Sequence, residues 1–341
     1  MFMETINIVC ATDNNYAPYC GIMLTSLFES NKDCVFSVYV LINGDFSSQN
    51  KRKYKMLEEF MEKHYSLTRM CSSLHQLEEV IVEEHFDAVI TGGDQIWNMD
   101  CWDFSPAYYL PFETPGVRRL SYAPSFGGMH GWKPQHYGNM LLNLLGNYDY
   151  VSVREKEAAR YLTELLGRVI PSVADPVFLL DKSEYEKLTG KEPIINGDYL
   201  YYYSPMENHQ IEQLVNDYAT KHGLRVVISN GTGKGLGDCI HKNDSGPKEF
   251  LNLMLNAKVV VGRSFHLAVF SLIFHKDFYV VTDVREFRMG GLLESVGLQS
   301  RYVLTGTGFP IVEQTIDWNG ADAFLENERK NAIVFLNETL G

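Results

Sequence analysis

The sequence lacks the features of a membrane-spanning, disulfide-stabilised or nucleic-acid-binding protein. No stretch approaches the roughly 20 consecutive apolar residues that a membrane-spanning helix needs. Only 6 of the 341 residues are cysteine, and because they are scattered without a CxxC pair, we expect reduced thiols, with no disulfide frame or zinc site. Acidic residues outnumber basic ones by 43 to 30, and the net charge of −13 argues against nucleic acid as a partner.

Common targeting and catalytic signatures are also missing. The segment Met1–Ala11 has no basic region, and polar residues interrupt its apolar run, so it predicts a strand rather than a signal peptide. We therefore expect a cytoplasmic protein. The sequence contains neither HExxH nor GxSxG, the signatures of a zinc peptidase and of a serine hydrolase.

What the sequence does contain is an alternation of short β-rich runs with helical patterns of 10–15 residues. This alternation predicts an α/β protein with parallel sheets flanked by helices. At about 100–200 residues per domain, the length predicts two domains. We expect two facing Rossmann-like domains, with residues 1–185 in the first and 186–320 in the second. Residues 321–341 predict a C-terminal helix that packs back on the first domain.

Ligands of open parallel sheets bind beyond the carboxyl ends of the strands, and the turn after the apolar run DAVIT is one such position. Gly93 allows a ligand to approach the backbone, and Asp94, Gln95 and Asn98 supply polar groups. Asp94 is a candidate general base. The alternative is that Asp94 only braces the turn, with Trp97 in the core.

Arg154 follows a second predicted strand, Tyr148–Val153, at the start of a predicted helix. A cation at a helix N-terminus is unfavourable unless an anion lies nearby, so Arg154 is a candidate ligand for a carboxylate or phosphate. The alternative pairs it with Glu155 or Asp149.

Two further turns supply candidates from the second half. In the segment Gly262–His266, the side chain of His266 is a candidate general acid, and Arg263 and Ser264 are candidate anion ligands. Alternatively, Ser264 is only a helix cap and His266 only packs. The segment Asn230–Gly235, with Lys234, resembles a phosphate-binding loop only weakly, because glycine rather than serine or threonine follows the lysine.

Six blocks resemble the polysaccharide pyruvyl transferase family, in the order found in that family. They are DAVITGGDQIWN (87–98), SYAPSFG (121–127), VSVREKEAARYL (151–162), VADPVFLL (173–180), GPKEFLNLMLNAKVVVGRSFHLAVFSLIF (246–274) and RMGGLLESVGL (288–298). The resemblance implies a GT-B-like arrangement of the two Rossmann-like domains. It also implies His266 as the catalytic residue and Arg154 as a donor ligand. This chain departs from the family pattern at Arg263, where a small or polar residue is common, and at Leu267, which replaces a common glycine.

The N-terminal segment 6–45 instead resembles the start of family 8 glycosyltransferases. That likeness implies that Ala11, Thr12, Asp13 and Tyr16 contact a nucleotide-sugar base. No Asp-x-Asp metal motif follows, so we interpret the segment as the first β-α-β unit of the sheet, with nucleotide binding as the alternative.

The family resemblance implies transfer of a pyruvyl group from phosphoenolpyruvate to two hydroxyls of a glycan sugar, forming a cyclic ketal in the synthesis of a cell-surface polysaccharide. The expected partners are phosphoenolpyruvate and a glycan or lipid-linked saccharide, with no metal and no cofactor. Lys234 and Arg288 complete the expected set of cations for the donor. The alternatives are a nucleotide-sugar glycosyltransferase and a non-catalytic relative that binds glycan or phosphoenolpyruvate.

Overall fold

The computed structural model describes residues 5–12, 35–42, 51–64, 66–69, 71, 73–101, 104–111, 115–127, 134–190, 192–310 and 315–340. These residues fall into two compact units. Unit 1 comprises the described residues within Met1–Asp45, Glu58–Leu179 and Glu328–Gly341, and unit 2 those within Phe46–Leu57 and Leu180–Asn327.

Unit 1 is built on a five-stranded sheet in which every strand pair is parallel. Its strands are β1 (Thr5–Thr12), β2 (Val35–Ile42), β3 (Ser66–Leu67), β4 (Ala88–Gly92) and β5 (Arg118–Ser121), in the spatial order β3-β2-β1-β4-β5. The helices of this part of the chain are α1 (Lys51–His64, shared with unit 2), α2 (Leu74–Glu83), α3 (Pro134–Leu145) and α4 (Lys156–Leu166). This order matches the first five strands of a Rossmann fold.

Unit 2 contains a six-stranded parallel sheet. Its strands are β6 (Tyr199–Tyr203), β7 (Arg225–Ile228), β8 (Cys239–His241), β9 (Val259–Gly262), β10 (Asp277–Thr282) and β11 (Tyr302–Leu304), in the order β11-β10-β9-β6-β7-β8. The helices that follow Leu180 are α5 (Lys182–Thr189), α6 (His209–His222), α7 (Pro247–Asn256), α8 (Phe265–Ile273), α9 (Phe287–Ser295) and α10 (Trp318–Leu340). Numbered within the unit, the strands follow the six-strand Rossmann order 3-2-1-4-5-6, so the predicted fold class is confirmed.

Local sequence explains where these elements begin and end. The strand β4 is fully buried, as expected for a parallel strand covered on both faces, and its one polar side chain, Thr91, donates to the carbonyl of Tyr108 at 2.8 Å. The helix α6 begins after Asn208, whose side chain accepts hydrogen bonds from two backbone N–H groups, and ends at Gly223 with φ of 63°. The apolar residues of its buried face, which include Ile211 and Val215, recur with helical spacing and pack in the core of unit 2.

An aromatic core in unit 1 fixes the turn that follows β4. The rings of Trp97 and Tyr109 stack with centroids 5.0 Å apart, and both side chains are fully buried. The Trp97 indole donates to the carbonyl of Tyr108 at 3.1 Å, and the Tyr109 hydroxyl donates to the carbonyl of Trp97 at 2.9 Å. The turn therefore has a rigid apolar foundation.

One predicted segment differs from the structure. The segment Tyr148–Val153 forms only isolated bridges, at Tyr150 and Val153, and not a regular strand. Side-chain hydrogen bonds take the place of part of the backbone ladder here. The Ser121 hydroxyl donates to the carbonyl of Ser152, and the Ser152 hydroxyl donates to the carbonyl of Ser121, both at 2.8 Å. The polar stretch after Leu180 contains α5, which Asp181 and Glu184 begin with a capping box.

Candidate functional site

Each unit has a glycine-led turn at the point where the strand order of its sheet reverses. In unit 1 the reversal lies between β1 and β4, and in unit 2 between β6 and β9. Ligands of Rossmann-like sheets bind beyond the carboxyl ends of the strands at this switch point. We therefore define two candidate regions, the unit 1 turn (Gly92–Asn98) and the unit 2 turn (Gly262–His266).

The unit 1 turn has a tightly constrained backbone. A Cβ atom at Gly92 would lie 2.4 Å from the carbonyl oxygen of Tyr122, so this position accepts only glycine. Gln95 and Ala123 adopt left-handed φ angles of 54° and 49°, which cost free energy for residues with a Cβ atom. Such strain is most common at functional sites, and here it fixes the direction of the Gln95 side chain.

A buried carboxylate–guanidinium–carboxylate triad lies beside this turn. The Arg154 Nη1 atom is 2.7 Å from Asp94 Oδ1, and Nη2 is 2.6 Å from Asp175 Oδ2. The exposed fractions of the three side chains are 6% for Arg154, 10% for Asp94 and 0% for Asp175. Arg154 thus connects two carboxylates of its own chain, which is a structural role beside the predicted donor-binding role.

The two acidic residues that offered an alternative pairing for Arg154 have partners of their own. The Asp149 carboxylate accepts the backbone N–H of Arg119 at 2.7 Å. The Glu155 carboxylate accepts the hydroxyl of Ser125, and also the backbone N–H of Phe126 at 3.2 Å. The two hydrogen bonds to Glu155 order the SYAPSFG segment next to the unit 1 turn.

Polar side chains extend the unit 1 turn towards solvent. The Asn98 amide donates to Gln95 Oε1 at 3.2 Å, and the Tyr137 hydroxyl donates to Asp100 Oδ1 at 2.5 Å. The hydrogen bond to Asp100 raises the pKa of Tyr137. Hydroxyl, amide and carboxylate groups together match the donors and acceptors of a neutral sugar.

The unit 2 turn has cationic and imidazole side chains instead. The Arg263 backbone N–H donates to the carbonyl of Tyr203 at 3.1 Å. The Arg263 guanidinium lies 3.0 Å from the carboxylate of Asp283, the residue directly after β10. Ser264 is the N-cap of α8, as one alternative predicted, and accepts the N–H of Leu267. His266 is only 2% exposed, so it is a buried residue and substrate contact requires movement of the side chains that cover it.

The other two predicted cations lie elsewhere in unit 2. The Arg288 guanidinium is in the first turn of α9, where Nη2 lies 3.5 Å from Glu286 Oε1. Lys234 is exposed in the loop Asn230–Gly235.

That loop differs from a phosphate-binding loop because carboxylates of unit 2 bind its backbone N–H groups. The N–H of Thr232 donates to Glu207 Oε1 at 2.6 Å, and the N–H of Gly235 donates to Glu212 Oε2 at 2.9 Å. The hydrogen bonds from Thr232 lower the pKa of Glu207. A phosphate at this loop would have to displace these carboxylates, which makes Lys234 the weakest of the predicted ligands.

Gly262 fixes the start of the unit 2 turn, and its replacement is expected to destabilise the protein. A Cβ atom there would lie 1.8 Å from the Tyr203 carbonyl oxygen. We expect Gly262→Ala to lower the free energy of unfolding by about 3 kcal/mol or more in urea denaturation. The matched control is Gly291→Ala in α9, where a Cβ atom meets nothing within 4 Å and the variant should be at least as stable as the parent. Equal stability of both variants would contradict the close approach.

The architecture defines an α/β protein of two Rossmann-like units, and comparison with known families gives a closer identification. The family model for polysaccharide pyruvyl transferase matches residues 22–283. The chain belongs to this family, and it is a transferase that modifies glycans in polysaccharide biosynthesis. The match includes both turns, Arg154 and Asp283, and ends before Arg288. It begins inside the N-terminal segment, and it does not show the expected resemblance of residues 6–45 to family 8 glycosyltransferases.

Solved structures share the fold. The UDP-GlcNAc 2-epimerase of Neisseria meningitidis, with UDP-GlcNAc bound, aligns with a TM-score of 0.57 and 12% identity over 98% of this chain and 99% of that chain. The UDP-GlcNAc 2-epimerase of Methanocaldococcus jannaschii aligns with a TM-score of 0.57 and 13% identity over 99% of this chain and 100% of that chain. At this identity the likeness concerns the fold alone. No curated protein matches the chain.

Several predictions concern features outside the described residues or stay untested. Within the described ranges, no helix is long and apolar enough to cross a membrane, and no group of three or more His, Cys, Asp or Glu side chains could bind a metal ion. The cytoplasmic location stays a prediction. Of the residues predicted to contact a nucleotide, Ala11 and Thr12 end β1, whereas Asp13 and Tyr16 lie outside the described part of the chain.

Sequence reasoning missed two carboxylates beside the turns. Asp175 lies shortly after Ser172, the bridge partner of Val153, and caps a short 3-10 helix, Pro176–Phe178. Asp283 directly follows β10. The available signal for Asp175 was its place before proline in the VADPVFLL block, a typical turn and cap position. Nothing in the sequence indicates that Arg154 is its partner, because 21 positions separate the two residues.

Proposed function

We propose that the protein transfers the pyruvyl group of phosphoenolpyruvate to two hydroxyls of a sugar residue and forms a cyclic ketal. The family match over residues 22–283 is the observation that carries this proposal. The side chains of the two turns support it, because one turn has groups suited to hydroxyls and the other has groups suited to an anion.

The acceptor sugar is assigned to the unit 1 turn. Asp94, at 10% side-chain exposure, is the candidate base for a sugar hydroxyl, and Gln95 and Asn98 are candidate hydrogen-bonding partners. The Gly93 backbone allows close approach. An anionic donor suits this turn poorly, because its carboxylates outnumber its guanidinium.

The donor is assigned to the unit 2 turn. A phosphate monoester and a carboxylate together carry about three negative charges at neutral pH. Arg263, Arg288 and Ser264 are the candidate ligands, and the N-terminus of α8 adds a favourable dipole. The positive charge of Arg263 is balanced by Asp283 in the described structure, so donor binding has to compete with this ion pair.

The reaction balances without a redox step. His266 is the candidate acid that protonates C3 of the enol phosphate, which makes C2 electrophilic. The first hydroxyl forms a bond to C2 as Asp94 accepts its proton. The second hydroxyl then forms a bond to C2, the bond from C2 to the phosphate oxygen breaks, and phosphate leaves with the second hydroxyl proton.

Asp94→Asn tests the proposal directly. Wild-type protein with phosphoenolpyruvate and p-nitrophenyl glycosides of common hexoses should release phosphate and give a product with the mass of the pyruvyl ketal. Loss of the base should reduce this turnover by about 10²–10⁴-fold. The control Asp87→Asn changes an exposed carboxylate just before β4, at the opposite end of that strand, and should retain full activity.

Two outcomes would contradict the proposal. Full activity of Asp94→Asn would remove Asp94 from the mechanism. Thermal stabilisation of the wild-type protein by UDP-glucose but not by phosphoenolpyruvate would favour a nucleotide-sugar glycosyltransferase and contradict the donor.

A further inference from the structure

Asp175 is a buried carboxylate that the proposed reaction does not use. It is 1% exposed, and its Oδ1 atom accepts the backbone N–H of Val177 at 3.0 Å. Its other oxygen lies 2.6 Å from Arg154 Nη2, while Arg154 Nη1 lies 2.7 Å from Asp94. One guanidinium therefore interacts with two carboxylates, through a different nitrogen for each.

This arrangement has two physical consequences for Asp94. Asp175 fixes one end of the guanidinium, so the other nitrogen has a defined direction towards Asp94. In addition, two negative charges compete for one positive charge. The Asp94 carboxylate is therefore less strongly stabilised than in a one-to-one ion pair, and it remains a better proton acceptor.

We propose that Asp175 is a positioning residue that orients Arg154 and keeps Asp94 basic enough to accept the proton of the sugar hydroxyl. The inference rests on the proposed function, in which Asp94 is the base. Asp175 acts only through Arg154.

Other titratable groups of unit 1 near the triad do not supply the same effect. Burial, reinforced by the Asp175 carboxylate, raises the pKa of Tyr122 well above 10, so its hydroxyl stays neutral and donates to the Ala174 carbonyl at 3.0 Å. The Glu155 carboxylate is bound by Ser125 and Phe126. Burial raises the pKa of Glu328, an effect that the nearby charge of Lys156 opposes.

The pH dependence of turnover by Asp175→Asn tests the inference. Without the competing carboxylate, the full charge of Arg154 acts on Asp94. We expect the acidic limb of the kcat/KM profile to move to lower pH by about one unit. The weaker base should also lower the plateau kcat by about 3–10-fold, with the KM for the glycoside within about twofold of the parent value.

Asp149→Asn is the matched control. The Asp149 carboxylate lies in the same unit but accepts a hydrogen bond from the backbone N–H of Arg119. Its acidic limb should not move. An unchanged profile for Asp175→Asn alongside an inactive Asp94→Asn would overturn the role of Asp175 and leave the proposed base in place. If Asp94→Asn is fully active, the proposed base fails instead.

A titration covers the case in which Asp175→Asn does not fold. Carbon-13 NMR of the Asp175 carboxyl can be compared between the parent and Asp94→Asn, which alters the less buried end of the triad. Coupling through Arg154 is reciprocal, so the titration midpoint of Asp175 should fall by about one unit when Asp94 is neutral. An unmoved midpoint would show that the two carboxylates do not share the guanidinium charge, and the inference would be wrong.

Discussion

Arg154→Met should lower the free energy of unfolding by about 3–5 kcal/mol, because it leaves two carboxylates buried without their cation. The side chains of Asp94 and Asp175 are 10% and 0% exposed, so water replaces the guanidinium poorly at Asp94 and not at all at Asp175. Urea denaturation followed by circular dichroism measures the loss.

Two further variants separate this role from donor binding. Arg168→Met removes a guanidinium that donates to backbone carbonyls, including that of Tyr148 at 2.7 Å, and it should cost only about 1–2 kcal/mol. The triple variant with Asp94→Asn, Arg154→Met and Asp175→Asn removes all three charges and should recover much of the stability. A stable Arg154→Met protein with a raised KM for phosphoenolpyruvate would instead support the donor-binding prediction.

His266→Asn should reduce turnover by about 10²–10⁴-fold if His266 is the acid. Asparagine keeps a polar but smaller side chain at the second position of α8, so we expect the free energy of unfolding to fall by about 1–2 kcal/mol. Phosphate release from phosphoenolpyruvate with a hexose glycoside measures the activity, and thermal denaturation measures the stability.

The matched control for His266→Asn is another buried polar residue of the same helix. The Ser271 hydroxyl donates to the carbonyl of Leu267 at 2.7 Å, and Ser271→Ala removes this bond without changing the unit 2 turn. This variant should lose about 1 kcal/mol of stability and keep its activity. If His266→Asn loses stability but retains turnover, the buried imidazole serves packing.

The alternation of strands and helices was sufficient to predict the fold, because parallel sheets leave a strong periodic signal. The periodicity indicates helices around Lys51–His64 and over Pro247–Asn256, where the structure has α1 and α7. It could not show that Tyr148–Val153 lacks a regular ladder, because side-chain bonds between Ser121 and Ser152 cannot be read from periodicity.

The candidate site was predictable in location but only partly in its interactions. The turns after β4 and β9 follow from the rule that ligands bind at the carboxyl ends of strands. The partners of Arg154 did not follow, because a guanidinium can pair with any carboxylate that tertiary structure brings near. The left-handed backbone of Gln95 was equally hidden, since glutamine carries no local preference for that conformation.

Gly92 and Gly262 impose the same restriction on chemical diversity in both halves of the chain. At each position the nearest neighbour is a main-chain oxygen, of Tyr122 and of Tyr203, and no side-chain exchange can move that atom away. A change of substrate therefore has to come from the residues that follow each glycine in its turn. Substitutions at Asp94 or Arg263 can alter reactivity. The main-chain position at which each turn begins cannot change in this way, because a neighbouring main-chain oxygen fixes it.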